Sequence, residues 1–320
     1  MASVEWDDDV EDVLAGDLTV ALGYRTPAGG VVVQAVAPIG LHDREAGTVG
    51  FTTSLGFSKK LERIARDPRV ALAFHAREHG RSRSGSYVLA QGPARVIEQP
   101  TREQRARVRT QATKYLGEAR EGWFWDRWLR EYYEVRVPVE VHVERLIRWP
   151  DLRCGGLPEV MGEPLVSAPA APQAPPKKGT APRVATERVA RRMGRTAHTL
   201  LGLAGGDGRP VILPVSVEGA DESGLGLSSA AFLPPGGRRA GLLGHSYRPK
   251  LIGLETRQYT GWLEVDEDGT ARYAPHTETG YRAPPNKTLL LLLNGLLAKR
   301  GVRQSRRESM RRRAREMPRA

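Results

Sequence analysis

The sequence predicts a mainly β protein built from two similar units, and three observations lead to this prediction. Short runs of β-branched or alternating apolar residues are separated by turn residues along most of the chain, which is typical of antiparallel sheets and small barrels. The length of 320 residues suits two domains. The segment TVGFTTS (48–54) also matches GLGLSSA (224–230) position by position, small residue for small residue and apolar for apolar. Because the repeat distance is close to the length of a domain, the match predicts duplication rather than a solenoid.

The match continues on both sides of this strand. Pro38 falls on Pro214 without a gap, and after a three-residue gap FSKKLERI (57–64) lies over GGRRAGLL (236–243). This alignment predicts that a short basic helix follows the strand in each unit. It superposes two basic pairs, Lys59-Lys60 and Arg238-Arg239.

The first unit is predicted to contain six strands, with a short helix between the third and the fourth. In the helical segment SKKLERIARDP, Leu61, Ile64 and Ala65 share one face, and Pro68 ends the helix. The pattern from 101 to 134 is also helical and contains three tryptophans. The predicted strands are LTVALGY (18–24), VVVQAVAP (31–38), TVGFTTS (48–54), VALAFHA (70–76), SYVLAQGPARVIE (86–98) and VRVPVEVHVERLIRW (135–149).

A segment rich in Pro and Ala separates the two units. EPLVSAPAAPQAPPKKGTAP (163–182) lacks apolar periodicity and is predicted to be an extended linker. The second unit then runs through HTLLGLA, VILPVSVE, LGLSS, a basic helix and KLIGLE to YTGWLEVDEDGTARYA. The predicted domains are a first unit at 1–160 with a helical insertion at 101–134, a linker at 161–190, a second unit at 191–285, and an apolar, then Arg-rich, tail at 286–320.

Most of the net charge lies in this tail. The formal net charge is +12, and residues 299–320 hold nine Arg, one Lys and two Glu, which is +8 of the total. A terminal block of like charge is typical of a solvated tail, and weak, salt-sensitive contact with RNA, DNA or an acidic membrane face is the alternative. The acidic N-terminus, the single cysteine Cys154 and the lack of an apolar run of about 18 residues predict a cytoplasmic protein without a membrane span.

A strand that ends in hydroxyl residues and leads into a basic helix is suited to binding a phosphate. Hydroxyl and N–H groups at a helix N-terminus donate to phosphate oxygens, and Lys or Arg neutralises the charge. A single segment of this kind can also be a capped helix with a solvated basic face that binds nothing. The recurrence of the pattern in both units favours a phosphate-binding site. The candidate residues are Thr52, Thr53, Ser54, Lys59 and Lys60 in the first unit, and Ser228, Ser229, Arg238 and Arg239 in the second.

Two segments of the first unit carry a resemblance to a known family. GFTTSLGFSKKLERIARDPRVAL and the following YVLAQGPARVIE resemble the flavin-binding split β-barrels of the pyridoxamine 5′-phosphate oxidase-like superfamily, over most of residues 14–150. The second unit resembles the same barrel more distantly, with DPRV replaced by SYRP (246–249). The resemblance implies two tandem split β-barrels that form a pseudo-dimer within the chain.

The resemblance also implies a cofactor site, because members of this superfamily usually bind FMN in clefts between two barrels. Carried over to this chain, Lys60 would hold the FMN phosphate, and backbone from Gln34 to Val36 would follow the isoalloxazine ring. Arg239 and Ser229 would mark a second, pseudo-equivalent cleft. The residues that would assist Lys60 are Thr53, Ser54 and Lys59.

Departures from the family narrow the predicted function. The Arg, Ser and Trp pattern that binds pyridoxal phosphate in the oxidase itself is missing, so that activity is not predicted. The leading hypothesis is an FMN-dependent oxidoreductase of unknown substrate, in which the flavin carries the electron chemistry and no side chain is identified as a catalytic acid or base. A deazaflavin-dependent reductase and a non-catalytic barrel scaffold with a polyanion-binding tail are the alternatives.

The seven histidines show no spacing typical of a metal site, so no metal is predicted. His75 ends a strand near the predicted cleft and is either a packed side chain or a flavin contact. His245 is placed in the predicted second basic helix, where the same two interpretations apply.

Overall fold

The computed structural model describes residues 4–54, 58–118, 136–166 and 170–286, together with positions 123, 127, 168, 288, 289, 292 and 296. Within these residues the chain forms two antiparallel sheets and four α-helices, which confirms the mainly β fold of two tandem split barrels. The basic tail at 299–320 and most of the segment 119–135 lie outside the described residues. The predictions for them therefore stay predictions.

The first sheet is formed by strands of the amino-terminal half, which also contains three helices. Asp7 caps α1 (Asp8–Gly16) by accepting a hydrogen bond from the Val10 N–H. Helix α3 (Arg102–Leu116) lies in the predicted insertion and begins with a capping box between Thr101 and Gln104. The other elements are β1 (Val20–Arg25), β2 (Val31–Val36), β3 (His42–Asp43), β4 (Thr48–Ser54), α2 (Ser58–Arg66), β5 (Arg69–Phe74), β6 (Tyr87–Val96), β7 (Arg136–His142), β8 (Arg145–Trp149) and β9 (Glu159–Gly162).

The second sheet is formed by strands of the carboxyl-terminal half. Helix α4 (Thr186–Met193) precedes it and buries Val189 and Met193, which lie four residues apart on one face. The strands are β10 (His198–Ala204), β11 (Pro210–Pro214), β12 (Ser216–Asp221), β13 (Gly224–Ser228), β14 (Arg238–Ser246), β15 (Glu255–Val265) and β16 (Ala271–Arg282).

The two sheets have the same strand order. The first contains the path β2-β1-β5-β6-β7-β4-β3, and the second contains β11-β10-β14-β15-β16-β13-β12, so each strand from β1 to β7 has a counterpart. The sequence match superposes Val49 on Leu225, and these residues pair with the counterpart strands β7 and β16. The segments 48–54 and 224–230 therefore begin in strands that take the same place in the two sheets.

Strand β14 corrects one prediction, because the sequence assigned its beginning to a basic helix. β14 starts at Arg238, and two prolines and two glycines (234–237), residues that disfavour helices, come directly before it. In strand order β14 is the counterpart of β5, which begins at Arg69. The hairpins β1–β2 and β10–β11 have turns of the same length, and their equivalent residues Gly23 and Gly202 pair with Ala71 of β5 and Gly241 of β14. By this register Arg239 corresponds to Arg69 and not to Lys60. Among the described residues α2 has no counterpart in the second half.

A shared apolar core joins the two halves. β2 packs against β14 and β15, and one cluster of buried side chains includes Val33 of the first half and Ile212 of the second. Glycine permits the close approach, since a Cβ on Gly241 would lie 2.5 Å from the Val31 carbonyl oxygen. The buried hydroxyl of Tyr87 donates to the Ile212 carbonyl at 2.6 Å. The contact between the halves thus combines apolar packing with satisfied polar groups.

The extended linker crosses the junction at the start of β14. The N–H of Gln173 donates to the Gly237 carbonyl at 2.7 Å, and its side-chain Nε2 donates to the Gly29 carbonyl at 3.2 Å. The same side chain accepts through Oε1 from the backbone N–H of Arg239 at 3.2 Å. Gln173 therefore ties the linker to the turn between β1 and β2 and to β14.

No helix in the described part of the chain is long and apolar enough to cross a membrane. Across the same residues, no group of three His, Cys, Asp or Glu side chains is placed to hold a metal ion. Cys154 is a free, buried thiol whose pKa burial raises above the usual range.

Candidate functional site

Helix α2 turns one of its two adjacent lysines inward. Lys60 lies four residues before Ile64, so the two side chains share one face of the helix. That face is buried, because Ile64 is 1% and Lys60 7% exposed, whereas Lys59 is exposed. An ammonium removed from water is costly unless other groups compensate for the lost hydration. The burial of the Lys60 ammonium therefore has to be compensated by other groups.

The surroundings of Lys60 make its charged form less favourable. Burial, and then the neighbouring Arg136 guanidinium, lower the pKa of Lys60 from 10.5 to about 8. The ammonium lies 5.9 Å from the centroid of the Phe51 ring, within the range of a cation–π contact. Arg136 begins β7 and is paired with Ser54 at the end of β4. The end of β4, the start of β7 and α2 thus bring two cations together.

The end of β4 also supplies hydroxyl groups. Thr52 and Thr53 are 5% and 3% exposed, and neither Oγ1 has a hydrogen-bond partner among the described residues. Because side chains alternate along a strand, Thr53 lies on the same face as Phe51, and Thr52 lies on the opposite face. Buried hydroxyls without partners are uncommon in folded proteins. Thr53 is thus a donor on the strand face that Lys60 contacts.

These groups fit the phosphate of a bound molecule. A phosphate can neutralise two neighbouring cations and accept hydrogen bonds from the Thr53 hydroxyl and the Lys60 ammonium. Its negative charge would also raise the pKa of Lys60 back toward the usual range. Of the five residues predicted for the first site, Lys59 alone is on the surface. The other four lie at the end of β4 and in the first turn of α2: Thr52, Thr53, Ser54 and Lys60.

The two residues predicted on β2 lie where the first half meets the second. Nε2 of Gln34 donates to Oε1 of Gln258 in β15 at 3.1 Å. Val36 is half-buried, and its carbonyl accepts a hydrogen bond from the Thr19 hydroxyl at 3.2 Å. β2 contacts both β4 of the first half and β15 of the second half. It therefore connects the region of the hydroxyl-bearing strand with the second half.

The residues predicted for a second site are bound by other groups of the protein. The hydroxyl of the exposed Ser228 donates to the Glu218 carboxylate, and the other three bond to backbone carbonyls. Arg238 is 1% exposed, and Arg239 donates to the Ala174 carbonyl of the linker at 3.1 Å and lies over the Trp262 ring. The Ser229 hydroxyl donates to the Pro214 carbonyl at 3.2 Å. The structure thus does not repeat the Lys60 arrangement here. The carbonyls that accept hydrogen bonds from Arg238 include those of Ala170, Pro234 and Gly236.

Arg136 is the site residue that the sequence analysis missed. It follows the helical insertion and not the strand–helix motif, and only the pairing of β7 with β4 brings it opposite Ser54. Local patterns predict strands but not which distant strands pair. A basic residue at the start of the strand after the insertion was the one available signal.

Comparison with solved structures finds matches of low sequence identity and low TM-score, each over about half of this chain. The chain is similar to a pyridoxamine 5′-phosphate oxidase-related, FMN-binding protein from Nostoc punctiforme, at 11% identity and a TM-score of 0.31, over 45% of this chain and 78% of that one. The conserved hypothetical protein Rv2991 from Mycobacterium tuberculosis matches at 22% identity and a TM-score of 0.35, over 52% and 98%. A protein described as an F420 reductase matches at 19% identity and a TM-score of 0.31, over 42% and 94%. No protein-family model and no curated protein matches the chain.

Proposed function

We propose that the first half binds the phosphate of a flavin-type cofactor, FMN, and that the chain is an FMN-dependent oxidoreductase of unknown substrate. The observation that carries the proposal is the buried Lys60 beside Arg136, on the strand face where the Thr53 hydroxyl has no partner among the described residues. The resemblance of GFTTSLGFSKKLERIARDPRVAL to the flavin-binding barrels supports a flavin-type cofactor, and FMN is the one that members of that superfamily usually bind.

The residues of the chain would bind and orient this cofactor, while the flavin would supply the electron transfer. Lys60 and Arg136 would neutralise the phosphate, and the Thr53 hydroxyl would donate to one of its oxygens. β2, from Gln34 to Val36, would lie along the ring, at the junction where the second half covers it. Binding at such a junction would exclude water from one side of the ring.

We further propose that the two halves are duplicated units that form a pseudo-dimer within the chain. The common strand order and the core shared by the halves support this proposal. Because α2 has no counterpart among the described residues of the second half, we propose one cofactor site per chain, marked by Lys60. The backbone carbonyls already bound by Arg238 support a structural role for that arginine.

An FMN titration of the full chain, followed by quenching of flavin fluorescence, tests the proposal. Lys60→Met and Lys59→Met form a matched pair, since each removes one charge from the same helical turn and keeps a similar length. We expect Lys60→Met to weaken binding by about 10- to 100-fold, because a charge-assisted hydrogen bond contributes about 1.5–3 kcal/mol. Lys59→Met should change the affinity by less than about twofold, since its side chain is exposed.

Two outcomes of this titration contradict the proposal: absence of FMN binding, or equal losses in the two variants. The same experiment with a deazaflavin separates the alternatives. If the chain binds the deazaflavin more tightly than FMN, and Lys60→Met loses this binding, the phosphate site stands but its cofactor is the deazaflavin. Uptake of neither cofactor, with polyanion binding that is lost in high salt, would favour the scaffold.

A further inference from the structure

Three histidines meet where the two halves join. His75 directly follows β5, His245 lies in β14 and His198 begins β10. β5 and β14 are counterparts in the two sheets, and each histidine stands six residues after the corresponding arginine, Arg69 or Arg239. The contact between His75 and His245 therefore links equivalent points of the two halves.

The hydrogen bond between these two rings determines which nitrogens carry protons. Nε2 of His75 lies 2.7 Å from Nε2 of His245, and both rings are buried. Nδ1 of His75 lies 2.9 Å from the Ala73 carbonyl oxygen, which can only accept, so Nδ1 carries the proton and Nε2 of the neutral ring accepts. Nε2 of His245 must then donate. This leaves Nδ1 of neutral His245 without a proton, and it has no hydrogen-bond partner among the described residues.

The other rings at the junction are aromatic neighbours of the pair and not its counter-ions. The His198 ring stacks with the His245 ring at 5.0 Å between centroids, and Tyr247 stacks with it at 6.0 Å. The His75 ring stands edge-on to His198 at 5.2 Å. The rings that surround the pair are therefore those of His198 and Tyr247, which carry no charge as long as His198 is neutral.

The charged side chains that follow His75 in the chain, Arg77 and Glu78, form ion pairs with groups other than the two rings. The Glu78 carboxylate lies 3.0 Å from Nε2 of His198, and the Arg77 guanidinium donates to the buried Asp17 carboxylate at 2.6 Å. In the described ranges no carboxylate is hydrogen-bonded to either ring of the pair. A positive charge on the pair would therefore lack a directly bonded counter-ion.

Burial makes proton uptake by the pair unfavourable in the closed junction. Burial, and then the neighbouring His198, lower the pKa of His75 from 6.5 to about 3, and burial also lowers the pKa of His245 well below its usual value. A separated junction would expose both rings and restore pKa values near about 6.5. Below that pH the open state binds more protons than the closed state, so acid favours opening.

We propose that the His75–His245 hydrogen bond is an acid-sensitive joint between the two halves, which is closed while both rings are neutral and opens when protons bind. The joint lies at the contact between the halves and does not involve Lys60. It therefore stands whether or not a flavin binds. Its effect would be to loosen the packing of β14 on β2 in acid.

Hydrogen exchange of the full chain, followed by mass spectrometry at about pH 7.5 and about pH 5, tests the joint. After correction for the intrinsic pH dependence of exchange, we expect the opening of β2 and β14 to increase about tenfold or more in acid, since each released ring binds a proton below about pH 6.5. β7, which lies within the first sheet, should change by less than about twofold.

The matched variant replaces both rings by amides that can hydrogen-bond without titrating. The double variant His75→Gln, His245→Gln should lose the acid-induced opening, whereas His142→Gln, a change of a histidine in β7, should behave like the original chain. Equal acid-induced opening in the double variant, or no selective opening in the original chain, would overturn the proposal.

Nitrogen NMR of the histidine rings in the original chain gives a second test if the double variant does not fold. We expect His75 protonated at Nδ1 and His245 protonated at Nε2 at neutral pH. Both rings should gain charge together with the opening of β2 and β14. Protonation of either ring while these strands stay protected would overturn the proposal.

Discussion

Lys60 in the first half and Arg238 in the second are both buried cations, but their surroundings differ. Arg238 donates to carbonyls of the linker and of the loop between β13 and β14, so the chain itself satisfies its donors. Lys60 lies beside a second cation, Arg136, and has a lowered pKa. The difference indicates a structural role for the arginine, whereas two neighbouring cations in the first half fit the anionic ligand that we propose for it.

The two halves differ in the connection between their fourth and fifth strands in chain order, which is β4 to β5 in the first half and β13 to β14 in the second. In the first half it contains α2, whereas in the second half a loop with two prolines and two glycines leads directly into β14. The strand order is the same in both halves. Two halves with the same strand order thus differ in one connection, and this connection contains the helix with the buried Lys60 in the first half only.

The contact between the halves is expected to show the largest effect on stability. A Cβ at Gly241 would lie 2.5 Å from the Val31 carbonyl oxygen, which is backbone and cannot easily move. We expect Gly241→Ala to lower the free energy of unfolding by about 2–3 kcal/mol, measured by urea denaturation. Gly226→Ala is the matched control, because its Cβ would find its nearest neighbour at 3.9 Å. Equal effects of the two changes would show that the halves do not pack as closely as described.

Removing the charge of Arg238 tests the structural role of the second basic pair. Arg238→Met leaves several carbonyls without their donor, and we expect a loss of about 2 kcal/mol in the free energy of unfolding. The affinity for FMN should change by less than about twofold, since the proposed site is in the other half. Unchanged stability together with weaker FMN binding would reverse the roles assigned to the two halves.

Removing the charge of Lys60 should have the opposite effect on stability. The pKa of Lys60 is about 8 in the folded chain, and a lysine in the unfolded chain has a pKa near 10.4. Because the unfolded chain binds more protons between these values, the buried ammonium destabilises the fold fully below about pH 8 and progressively less above it. Without FMN and near about pH 7, we expect Lys60→Met to raise the free energy of unfolding by about 1–2 kcal/mol. A loss of stability would show that Lys60 serves the fold and not a ligand.

The affinity for FMN should depend on the charge of Lys60. The ammonium is lost as the pH rises above its pKa, which is about 8 before an anion binds. We expect the dissociation constant for FMN to rise by about tenfold between about pH 7 and about pH 9.5, and to rise much less in Lys60→Met. Isothermal calorimetry at several pH values measures this change. Identical pH profiles in the two proteins would remove Lys60 from the site.

The sequence was informative where local patterns determine the structure. The match of 48–54 with 224–230 identified two strands in the same place of the two sheets. The spacing also placed Ile64 on the inward face of α2, whereas Leu61 is half-buried and Ala65, predicted for the same face, is exposed. The hydroxyls at the end of β4 and the buried Lys60 were both among the predicted site residues. These features depend on alternation and helical periodicity, which a single segment contains.

The sequence was less informative where distant segments meet. The basic residues that begin β14 resemble the basic pair of α2, and a short buried apolar run does not distinguish a strand from a helix. Arg136 reaches the site through strand pairing, and the His75–His245 contact depends on how the halves pack. Such contacts are fixed by the tertiary fold and leave no local pattern in the sequence.

The number of FMN molecules bound per chain tests the central claim most directly. Equilibrium dialysis of the full chain should find one FMN per chain, retained in Arg239→Met and lost or strongly weakened in Lys60→Met. Two FMN molecules per chain would show that both halves keep a cofactor site. Loss of the bound FMN in Arg239→Met but not in Lys60→Met would contradict the account and place the site in the second half.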